Sequence, residues 1–328
     1  MEFRTVVNIE PSSTRITYDN KVLFIGSCFA AEMGAQMRLR KMPVIINPFG
    51  TIYNPASVKS TLEAIISGKV FDKNSLYNFN GTWLSFSHYT DFSSDDPVSL
   101  LKRMNKNRAE AEKFLKSADF IFITFGTARV YRLKQTGEIV SNCHKVPASY
   151  FTSGLMSVDE VVKSWKSLMD ELSEFNPNLN VVFTVSPVRH WKDGAHGNQI
   201  SKSVLFLAIE ELMNSGFPAK YFPAYELLMD DLRDYRYYAD DMLHPSPAAI
   251  EYIWEKFSET YFDRQTREIQ SSVIKIVKAT EHIIMTDSGQ KKREFSEKML
   301  KQISEIERKN SRIDLKEEKK YFNRLLKH

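Results

Sequence analysis

Short apolar runs alternate with amphipathic stretches through the first 262 residues of this 328-residue chain. This alternation is typical of a parallel sheet covered by helices on both faces, because each central strand must bury two apolar sides. We therefore expect an α/β fold of three layers with one sheet at its centre. The predicted strands are residues 21–25, 43–47, 119–125, 180–186 and 220–223.

Helical patterns lie between the predicted strands. Asn54-Pro55, Asp96-Pro97 and Ser246-Pro247 each place a capping side chain before a proline at the first helical position, which is a strong helix start. The predicted helices are residues 30–41, 55–67, 97–117, 157–174, 198–215 and 247–261.

Two segments do not follow this strand–helix rhythm. Residues 69–96 alternate around Asn80-Gly81, which predicts a hairpin insertion that could overhang a site on the sheet. A second hairpin is predicted around Thr136-Gly137. Beyond residue 262 the pattern is charged and helical, with a break at 286–289. We expect one main domain over residues 1–262 and a helical extension over 263–328.

Composition limits the class of protein. The chain has no run of about 20 apolar residues, and its start, Met1-Glu2-Phe3-Arg4, lacks the pattern of a signal peptide, so a cytoplasmic protein is expected. Its two cysteines, Cys28 and Cys143, are too few for a disulfide framework.

The net charge of +4 is uneven, because residues 263–328 hold 17 Lys/Arg and 11 Asp/Glu. Both signs mix along this extension, so a nucleic-acid partner is not expected. Apolar residues recur there at helical spacing and predict packing on the main domain or on another subunit, including a homo-oligomer. They are Val273, Ile276, Val277, Ile283 and Ile284.

A serine stands where the first predicted strand turns into a helix. In Gly26-Ser27-Cys28-Phe29-Ala30 the free N–H groups of the helix start would favour negative charge beside the hydroxyl. Far downstream, Asp241 and His244 lie three residues apart, so the chain offers nucleophile, acid and base in the order Ser, Asp, His. A helix cap is the alternative role of Ser27.

The same motif resembles the signature of the GSCFA family, and four further motifs extend the resemblance across residues 20–260. This family is related to the SGNH or GDSL-type hydrolases, which cleave acyl esters with serine, histidine and aspartate on a flavodoxin-like sheet. The resemblance implies the strand order 2-1-3-4-5 and acyl-transfer chemistry, and it implies no substrate. The further motifs are residues 47–55, 124–128, 186–189 and 241–245.

The resemblance assigns roles to particular residues. Ser27 matches the nucleophile, Asp241 and His244 match the Asp-x-x-His pair, and Asp240 is an adjacent rival for the acid. Gly50 is the counterpart of the relatives' oxyanion-hole glycine, which would act together with the Ser27 N–H group.

One family position departs from the pattern. Relatives often carry Gly-x-Asn after the third strand, where this chain has Gly126-Thr127-Ala128. The missing amide donor leaves Asn54, Thr127 or Arg129 as a replacement, or else a slower reaction, since one lost donor costs about 10²–10³ in turnover.

Other polar residues are candidates for substrate binding. His88 could line the substrate entrance or be a surface loop residue, and Asn142 lies in a polar cluster after the second hairpin. Arg189 and His190 follow the fourth strand at its carboxyl end, where ligands bind in open α/β sheets, although a structural salt bridge or a solvated loop is equally compatible. Arg129 completes this set.

Cofactor sites are not indicated. The histidines and cysteines lack metal-ligand spacing, and glycine-rich phosphate loops are absent, so neither a metal nor a nucleotide cofactor is expected. Cys28 is an alternative nucleophile or, more simply, a small buried apolar residue.

The sequence therefore predicts a serine hydrolase that cleaves an acyl ester of a small or carbohydrate-like molecule through an acyl-enzyme. Two alternatives stay open. The same triad could transfer the acyl group to an alcohol, or the chain could be a non-catalytic binding or assembly module that retains the fold.

Overall fold

The computed structural model describes residues 4–281 and 289–326. The strands within these ranges are β1 (Val22–Gly26), β2 (Val44–Ile46), β3 (Tyr77–Phe79), β4 (Thr82–Leu84), β5 (Ser93–Ser94), β6 (Phe120–Phe125), β7 (Arg129–Leu133), β8 (Ile139–Val140), β9 (Phe151–Leu155), β10 (Asn180–Val185) and β11 (Ala219–Tyr221).

Helices lie between the strands of the central sheet and also follow its last strand. They are α1 (Cys28–Leu39), α2 (Pro55–Ile66), α3 (Pro97–Leu115), α4 (Val158–Phe175), α5 (Gly194–Met213), α6 (Ala224–Glu226), α7 (Pro247–Tyr261), α8 (Arg264–Glu281), α9 (Gly289–Lys309) and α10 (Lys316–Leu325).

Capping explains two of the sharp helix starts. Asn54 accepts a hydrogen bond from the Ser57 N–H group, and Asp96 accepts from Val98 and Ser99, each just before a proline.

Five parallel strands form the central sheet in the order β2-β1-β6-β10-β11, which confirms the predicted order. Every residue of β1 and β6 is buried, as expected for strands covered on both faces. In the register, Gly26 pairs with Thr124 and Val185 pairs with Phe125. The carboxyl ends of β1, β6 and β10 therefore meet at one edge of the sheet.

The core beneath this edge is aromatic as well as aliphatic. Trp165 of α4 packs against Phe125 and Phe183, with ring centroids 5.0 and 5.4 Å away. Its indole nitrogen donates to the Pro55 carbonyl at 3.2 Å, so this buried polar atom is satisfied. The contact ties α4 to the start of α2 and fixes the loop after β2.

Both hairpins form where predicted. Asn80 and Gly81 have φ of 51° and 84°, the left-handed pair that a two-residue hairpin turn requires. The insertion continues into a third strand, giving the order β3-β4-β5, and the second hairpin gains β9, giving β8-β7-β9. Strand β9 was not predicted, since Gly154 and its exposed neighbours carry no apolar alternation.

The chain folds into two compact units that do not divide at a single point. The first contains Val22–Gly34, Ile45–Ile253 and the residues up to Ile9, and the second contains Glu10–Lys21, Ala35–Val44 and the residues from Trp254 onward. The predicted boundary at residue 262 falls inside the second unit.

The second unit joins three chain segments by specific contacts. Ile16 pairs with Phe262, and the Tyr18 hydroxyl donates to the Arg40 carbonyl at 2.9 Å. The Arg40 guanidinium lies 4.4 Å from the Trp254 ring centroid, a cation–π contact.

The predicted apolar stripe of the extension is buried where it is described. Val273, Ile276 and Val277 are buried on α8, which packs against α9 and α10. Ile283, Ile284 and the predicted break at 286–288 lie outside the described residues. Across the described ranges, every helix is too short or too polar to cross a bilayer.

Candidate active site

Ser27 occupies the turn between β1 and α1. Its N–H group donates to the Thr124 carbonyl at 3.1 Å, and its own carbonyl accepts from Ala30 at 3.0 Å. Gly26 makes this turn possible: its φ is +131°, and a Cβ atom there would lie 2.1 Å from the Thr124 oxygen. The glycine lets the first strand deliver Ser27 to the carboxyl edge of the sheet.

The Ser27 hydroxyl is buried and unpaired. The residue is 1% exposed, and among the described residues no group forms a hydrogen bond with its Oγ atom. The side chain therefore does not cap α1, and the helix-cap alternative is wrong. A buried hydroxyl without a partner costs about 1–3 kcal/mol, so its retention needs a reason other than stability.

Asp241 and His244 form the predicted acid–imidazole pair. One carboxylate oxygen of Asp241 accepts from the Leu243 and His244 N–H groups, both at 2.9 Å, and the other lies 2.5 Å from His244 Nδ1. These hydrogen bonds, first of all the one from the His244 backbone, lower the pKa of Asp241 to about 2. A proton on Nδ1 is held by the carboxylate, which leaves Nε2 as a proton acceptor.

Arg189 fastens the loop that carries this pair. Its guanidinium donates to the Met242 carbonyl and lies between two aromatic rings, 5.1 Å from the Trp191 centroid and 4.9 Å from the Tyr238 centroid. Met242 itself has a left-handed φ of 58°, and Tyr238 pairs with Pro245 to close the loop. Arg189 thus contacts the loop of the predicted base.

Ser27 and His244 are not in hydrogen-bonding contact in this structure. The serine oxygen has no partner, whereas the His244 side chain is 51% exposed. Strand β6 separates β1 from β10, so the ends of these two strands lie about 10 Å apart at the usual strand spacing. The residue that follows β6 is Gly126, which places no side chain in this gap.

Both predicted backbone donors of the oxyanion hole are already hydrogen-bonded. Ser27 donates to Thr124 as described, and the Gly50 N–H group donates to the Asn47 carbonyl at 2.7 Å. Gly50 has another reason to be glycine, since its φ is +81° and a Cβ atom would lie 2.3 Å from Tyr89 Cβ. In this structure neither N–H group is available to a substrate oxygen.

The side-chain candidates to replace the missing amide donor differ in whether the fold already uses their hydrogen-bonding groups. Thr127 Oγ1 lies 2.8 Å from Ser201 Oγ and accepts from the Arg129 N–H group at 3.1 Å, so its hydroxyl is used within the fold. Asn54 uses its oxygen to cap α2 at 2.8 Å, which leaves its NH₂ group for another acceptor. Asn54 follows Tyr53, whose carbonyl accepts from Gly126 at 2.7 Å.

Arg129 and His190 share one carboxylate that the sequence did not single out. Asp193 lies 2.8 Å from Arg129 Nε and 2.9 Å from His190 Nδ1, and it is largely buried. The structural alternative that the sequence left open for Arg189 and His190 is seen here for His190, through its contact with Asp193. The network gathers two predicted substrate contacts beside the carboxyl end of β10.

His88 is fully buried, which corrects its assignment to a substrate entrance or a surface loop. Its ring stacks on Phe49 with centroids 4.3 Å apart, and Nδ1 lies 2.9 Å from Ser85 Oγ. Burial, helped by the charge of His144, lowers the pKa of His88 to about 3, so it is neutral. It is a core residue of the insertion.

Asn142 connects the insertion to the second hairpin. Its side-chain oxygen accepts from the Thr90 hydroxyl at 3.2 Å and from the His144 N–H group at 2.7 Å. The His144 ring in turn lies 2.8 Å from the Ser85 carbonyl. These bonds give Asn142 a structural role and leave its NH₂ group free for substrate contact.

Lys202 is a residue that the sequence interpretation missed. It is 1% exposed, and its ammonium donates to the Gly126 carbonyl at 2.8 Å and to the Ser186 carbonyl at 2.6 Å. A signal existed, because this lysine interrupts a buried stripe at helical spacing on α5. The stripe is Asn198, Ser201, Lys202, Leu205, Ala208, Ile209 and Leu212.

Cys28 behaves as a small, mostly buried residue. Burial raises the pKa of its thiol, so the thiolate that a cysteine nucleophile needs is disfavoured. Cys28 and Cys143 are both free. In the described part of the chain, His, Cys, Asp and Glu side chains do not gather in groups of three that could hold a metal ion.

Comparisons with solved structures give weak overall similarity. A Streptococcus pneumonia protein, provisionally described as a platelet activating factor, is 14% identical with a TM-score of 0.37, covering 76% of this chain and 84% of its own. A Clostridium thermocellum family 3 carbohydrate esterase is 12% identical with a TM-score of 0.33, covering 78% and 98%. An acetyl xylan esterase from Butyrivibrio proteoclasticus is 12% identical with a TM-score of 0.36, covering 74% and 63%.

Comparisons of sequence are more specific. No curated protein matches the chain. The model of the GSCFA family matches residues 21–257, a span that includes Ser27, the carboxyl edge of the sheet and the Asp241–His244 pair. The chain belongs to the GSCFA family.

Proposed function

We propose that this protein is a serine-dependent acyl ester hydrolase that works through an acyl-enzyme. The observation that carries the proposal is the Ser27 hydroxyl, which is buried and unpaired at the carboxyl edge of a parallel sheet. Ligands of open α/β folds bind at this edge. The Asp241–His244 pair supplies the base that a serine nucleophile requires.

In the proposed reaction, Ser27 Oγ attacks the acyl carbon while His244 Nε2 takes its proton. The same imidazole then returns the proton to the departing alcohol, leaving the acyl group on Ser27. Water, deprotonated by His244, releases the acid and restores the hydroxyl. Asp241 keeps the imidazole in one tautomer and stabilises its charged form.

The reaction requires His244 to approach Ser27. Its half-exposed side chain lies on the loop bound by Arg189, next to the end of β10, and Gly126 leaves the intervening position without a side chain. Catalytic hydrogen bonds often shorten only when substrate binds. We infer that substrate binding draws the loop toward Ser27.

The oxyanion needs donors that the fold does not already use. The NH₂ group of Asn54 meets this condition, since the carboxamide oxygen alone is engaged in capping α2. We therefore assign to Asn54 the part that relatives give to the asparagine of Gly-x-Asn. A backbone donor would join it only after Ser27 or Gly50 exchanges its present partner.

A fluorophosphonate probe tests the nucleophile directly. The wild type should be labelled on Ser27, and Ser27→Ala should not be labelled. Ser85→Ala is the matched control, because Ser85 is also buried and lies 2.9 Å from a histidine. Labelling that survives in Ser27→Ala, or is lost in Ser85→Ala alone, would contradict the proposal.

The substrate class is an acyl ester of a carbohydrate-like or small molecule, in keeping with the activities named for two of the similar structures. Short-chain esters and acetylated sugars should be screened against wild type and Ser27→Ala. Adding an alcohol acceptor distinguishes a hydrolase from a transferase, since a transferase gives the new ester in place of the free acid.

A binding or assembly module is the second candidate. It is favoured by the absence of a Ser27–His244 hydrogen bond and by the occupied N–H groups of Ser27 and Gly50. A folded wild type that neither reacts with the probe nor cleaves any ester would support this candidate against the hydrolase.

A further inference from the structure

Lys202 places a cation inside the protein beside the proposed nucleophile. Lysine is almost never fully buried without a partner, yet this side chain is 1% exposed on α5. Its nitrogen is held by the carbonyls of Gly126 and Ser186, at 2.8 and 2.6 Å. The neighbours that face it from other elements are the Cys28 thiol at the start of α1 and the Tyr225 ring of α6, 5.6 Å away.

The two carbonyls belong to strand ends at the candidate site. Gly126 directly follows β6 and Ser186 directly follows β10, and the Ser186 N–H group continues the ladder to Phe125 at 2.8 Å. Carbonyl oxygens at the carboxyl end of parallel strands carry partial negative charge. Unopposed, such charge would disfavour an oxyanion that develops nearby.

Gly126 lies next to the proposed nucleophile. A Cβ atom built on Gly126 would lie 3.4 Å from Ser27 Cβ and 3.4 Å from Tyr53 Cβ. The Gly126 N–H group donates to the Tyr53 carbonyl, and Tyr53 precedes Asn54. The peptide whose carbonyl Lys202 holds also donates its N–H group, that of Thr127, to the Tyr53 carbonyl at 3.1 Å, so it adjoins both Ser27 and the loop of Asn54.

We propose that Lys202 is a positioning residue of the acyl-transfer site: it fixes the Gly126 peptide beside Ser27 and counters the partial negative charge of two strand ends. This role rests on the function proposed above. The ammonium touches neither substrate nor the reacting atoms, and it acts through the groups that surround them.

Stability alone does not account for a lysine here. Burial lowers the pKa of Lys202 from its usual 10.5 to about 7, so the folded state holds this proton less tightly than the unfolded chain does. Between these two values the unfolded state binds more protons, and this group makes the fold more stable as pH rises. At neutral pH an apolar side chain of the same length would avoid this cost.

The test compares Lys202→Met, which removes charge and donors, with Lys202→Gln, which keeps donors. Lys166→Met on α4 is the control, because it removes an exposed lysine that faces Glu211. The measurements are the rate of Ser27 labelling by a small fluorophosphonate, and kcat and KM for a cleaved ester, from pH 5 to pH 9.

We expect Lys202→Met to slow labelling and kcat about 10- to 100-fold with KM nearly unchanged, while Lys202→Gln recovers part of the rate. The wild-type rate should fall above about pH 7 as the ammonium loses its proton, and this alkaline fall should vanish in Lys202→Met. Lys166→Met should match the wild type.

Each outcome bears on a separate claim. The role of Lys202 is overturned if the wild type is labelled and a folded Lys202→Met is labelled equally fast with the same pH profile. The hydrolase proposal would then still stand. A folded wild type that never labels overturns the hydrolase and this role with it. If Lys202→Met does not fold, Lys202→Gln decides, and a folded Lys202→Gln that is labelled as fast as the wild type contradicts the role of the charge.

Discussion

Arg189 donates a hydrogen bond to the Met242 carbonyl. This bond links the segment that follows β10 to the loop that carries Asp241 and His244. A guanidinium is suited to this contact because its planar donors and its stacking on Trp191 and Tyr238 fix its orientation. The sequence suggested a substrate contact for Arg189. The structure shows that Arg189 binds the loop of the proposed base.

Removing the Arg189–Met242 hydrogen bond should impair catalysis more than it lowers the free energy of unfolding. We expect Arg189→Ala to lower kcat about 10- to 100-fold, because small displacements of a catalytic group are costly. Arg189→Lys should recover little, since an ammonium cannot reproduce the stacked, planar contact. Arg236→Ala is the control, for Arg236 is exposed and contacts its sequence neighbours, the Asp234 carboxylate and the Tyr237 ring. Steady-state kinetics on any cleaved ester would measure this, and equal losses in both alanine variants would contradict it.

Asp241 and Asp240 are adjacent, yet only one should matter for the rate. Asp241→Asn keeps an oxygen for the Leu243 and His244 N–H groups but puts an NH₂ group opposite His244 Nδ1, which favours the wrong tautomer. We expect kcat to fall about 10³-fold or more. Asp240→Asn should remain within about twofold, as expected of a surface substitution. A drop of the same size in Asp240→Asn would assign the acid to that residue.

A substitution can separate the two roles of Asn54, which are capping α2 and donating to the oxyanion. Asn54→Asp retains an oxygen that caps α2 at Ser57 and removes the NH₂ donor. The cap on α2 should be kept, because aspartate and asparagine cap helices about equally well, so a loss in the free energy of unfolding would report the burial of the carboxylate at this 5% exposed position. Turnover should fall about 10²–10³-fold if the amide binds the oxyanion. Unchanged turnover, measured beside a urea titration of the same variant, would exclude Asn54 as the donor.

Gly50 and Gly81 have nearly the same backbone conformation in different surroundings. Their φ values are +81° and +84°, but a Cβ atom on Gly50 would lie 2.3 Å from Tyr89 Cβ, whereas nothing lies within 4 Å of one on Gly81. We expect Gly81→Ala to lose about 1–2 kcal/mol from backbone strain alone. Gly50→Ala should lose about 1–3 kcal/mol more from overpacking. Urea unfolding of both variants measures the difference, and equal losses would show that the Tyr89 contact is easily relieved.

Acid should weaken the fold through His88. Its pKa is about 3 in the folded state, and near the usual 6.5 when unfolded, so the unfolded chain binds an extra proton between these values. The free energy of unfolding should therefore fall as pH drops below 6.5, by about 1.4 kcal/mol per pH unit from this group. His88→Phe should show a shallower fall. Exposed His196, replaced by glutamine, should leave the wild-type slope unchanged, and identical slopes in all three proteins would contradict the assignment.

The sheet could be predicted because each of its central strands has a recognisable local sequence pattern. Residues 22–25 are all apolar, and residues 120–125 are apolar except for Thr124, which is the pattern of strands covered on both faces; the strand order came with the family resemblance. Strand β9 was missed for the opposite reason. It pairs with β7 in an antiparallel register while four of its five residues are exposed, so its sequence lacks the apolar alternation of a half-buried strand.

The site was predictable only where a side chain meets a near neighbour in sequence. The Asp241–His244 contact follows from a spacing of three residues, whereas the Arg189–Met242 and Lys202–Gly126 contacts end on carbonyl oxygens far along the chain. Every residue has a backbone carbonyl, so the sequence does not indicate which carbonyl will accept the hydrogen bond. His88 was misplaced for a related reason, because the aromatic rings that bury it come from separate segments.

The way the second compact unit is assembled has a practical consequence for anyone who cuts this chain. Its Ile16–Phe262 pairing, and the bond from the Ser12 N–H group to the Thr260 carbonyl at 2.8 Å, tie an early segment to the end of α7. A gene shortened at codon 262 would remove the partners of three residues: Gln270, whose amide lies 3.0 Å from the Met42 sulfur, Glu318, which lies 2.7 Å from Lys41 Nζ, and Arg312, which lies 3.0 Å from Asp19. Either fragment expressed alone should therefore aggregate and give a low yield. Co-expression of both fragments should restore soluble protein.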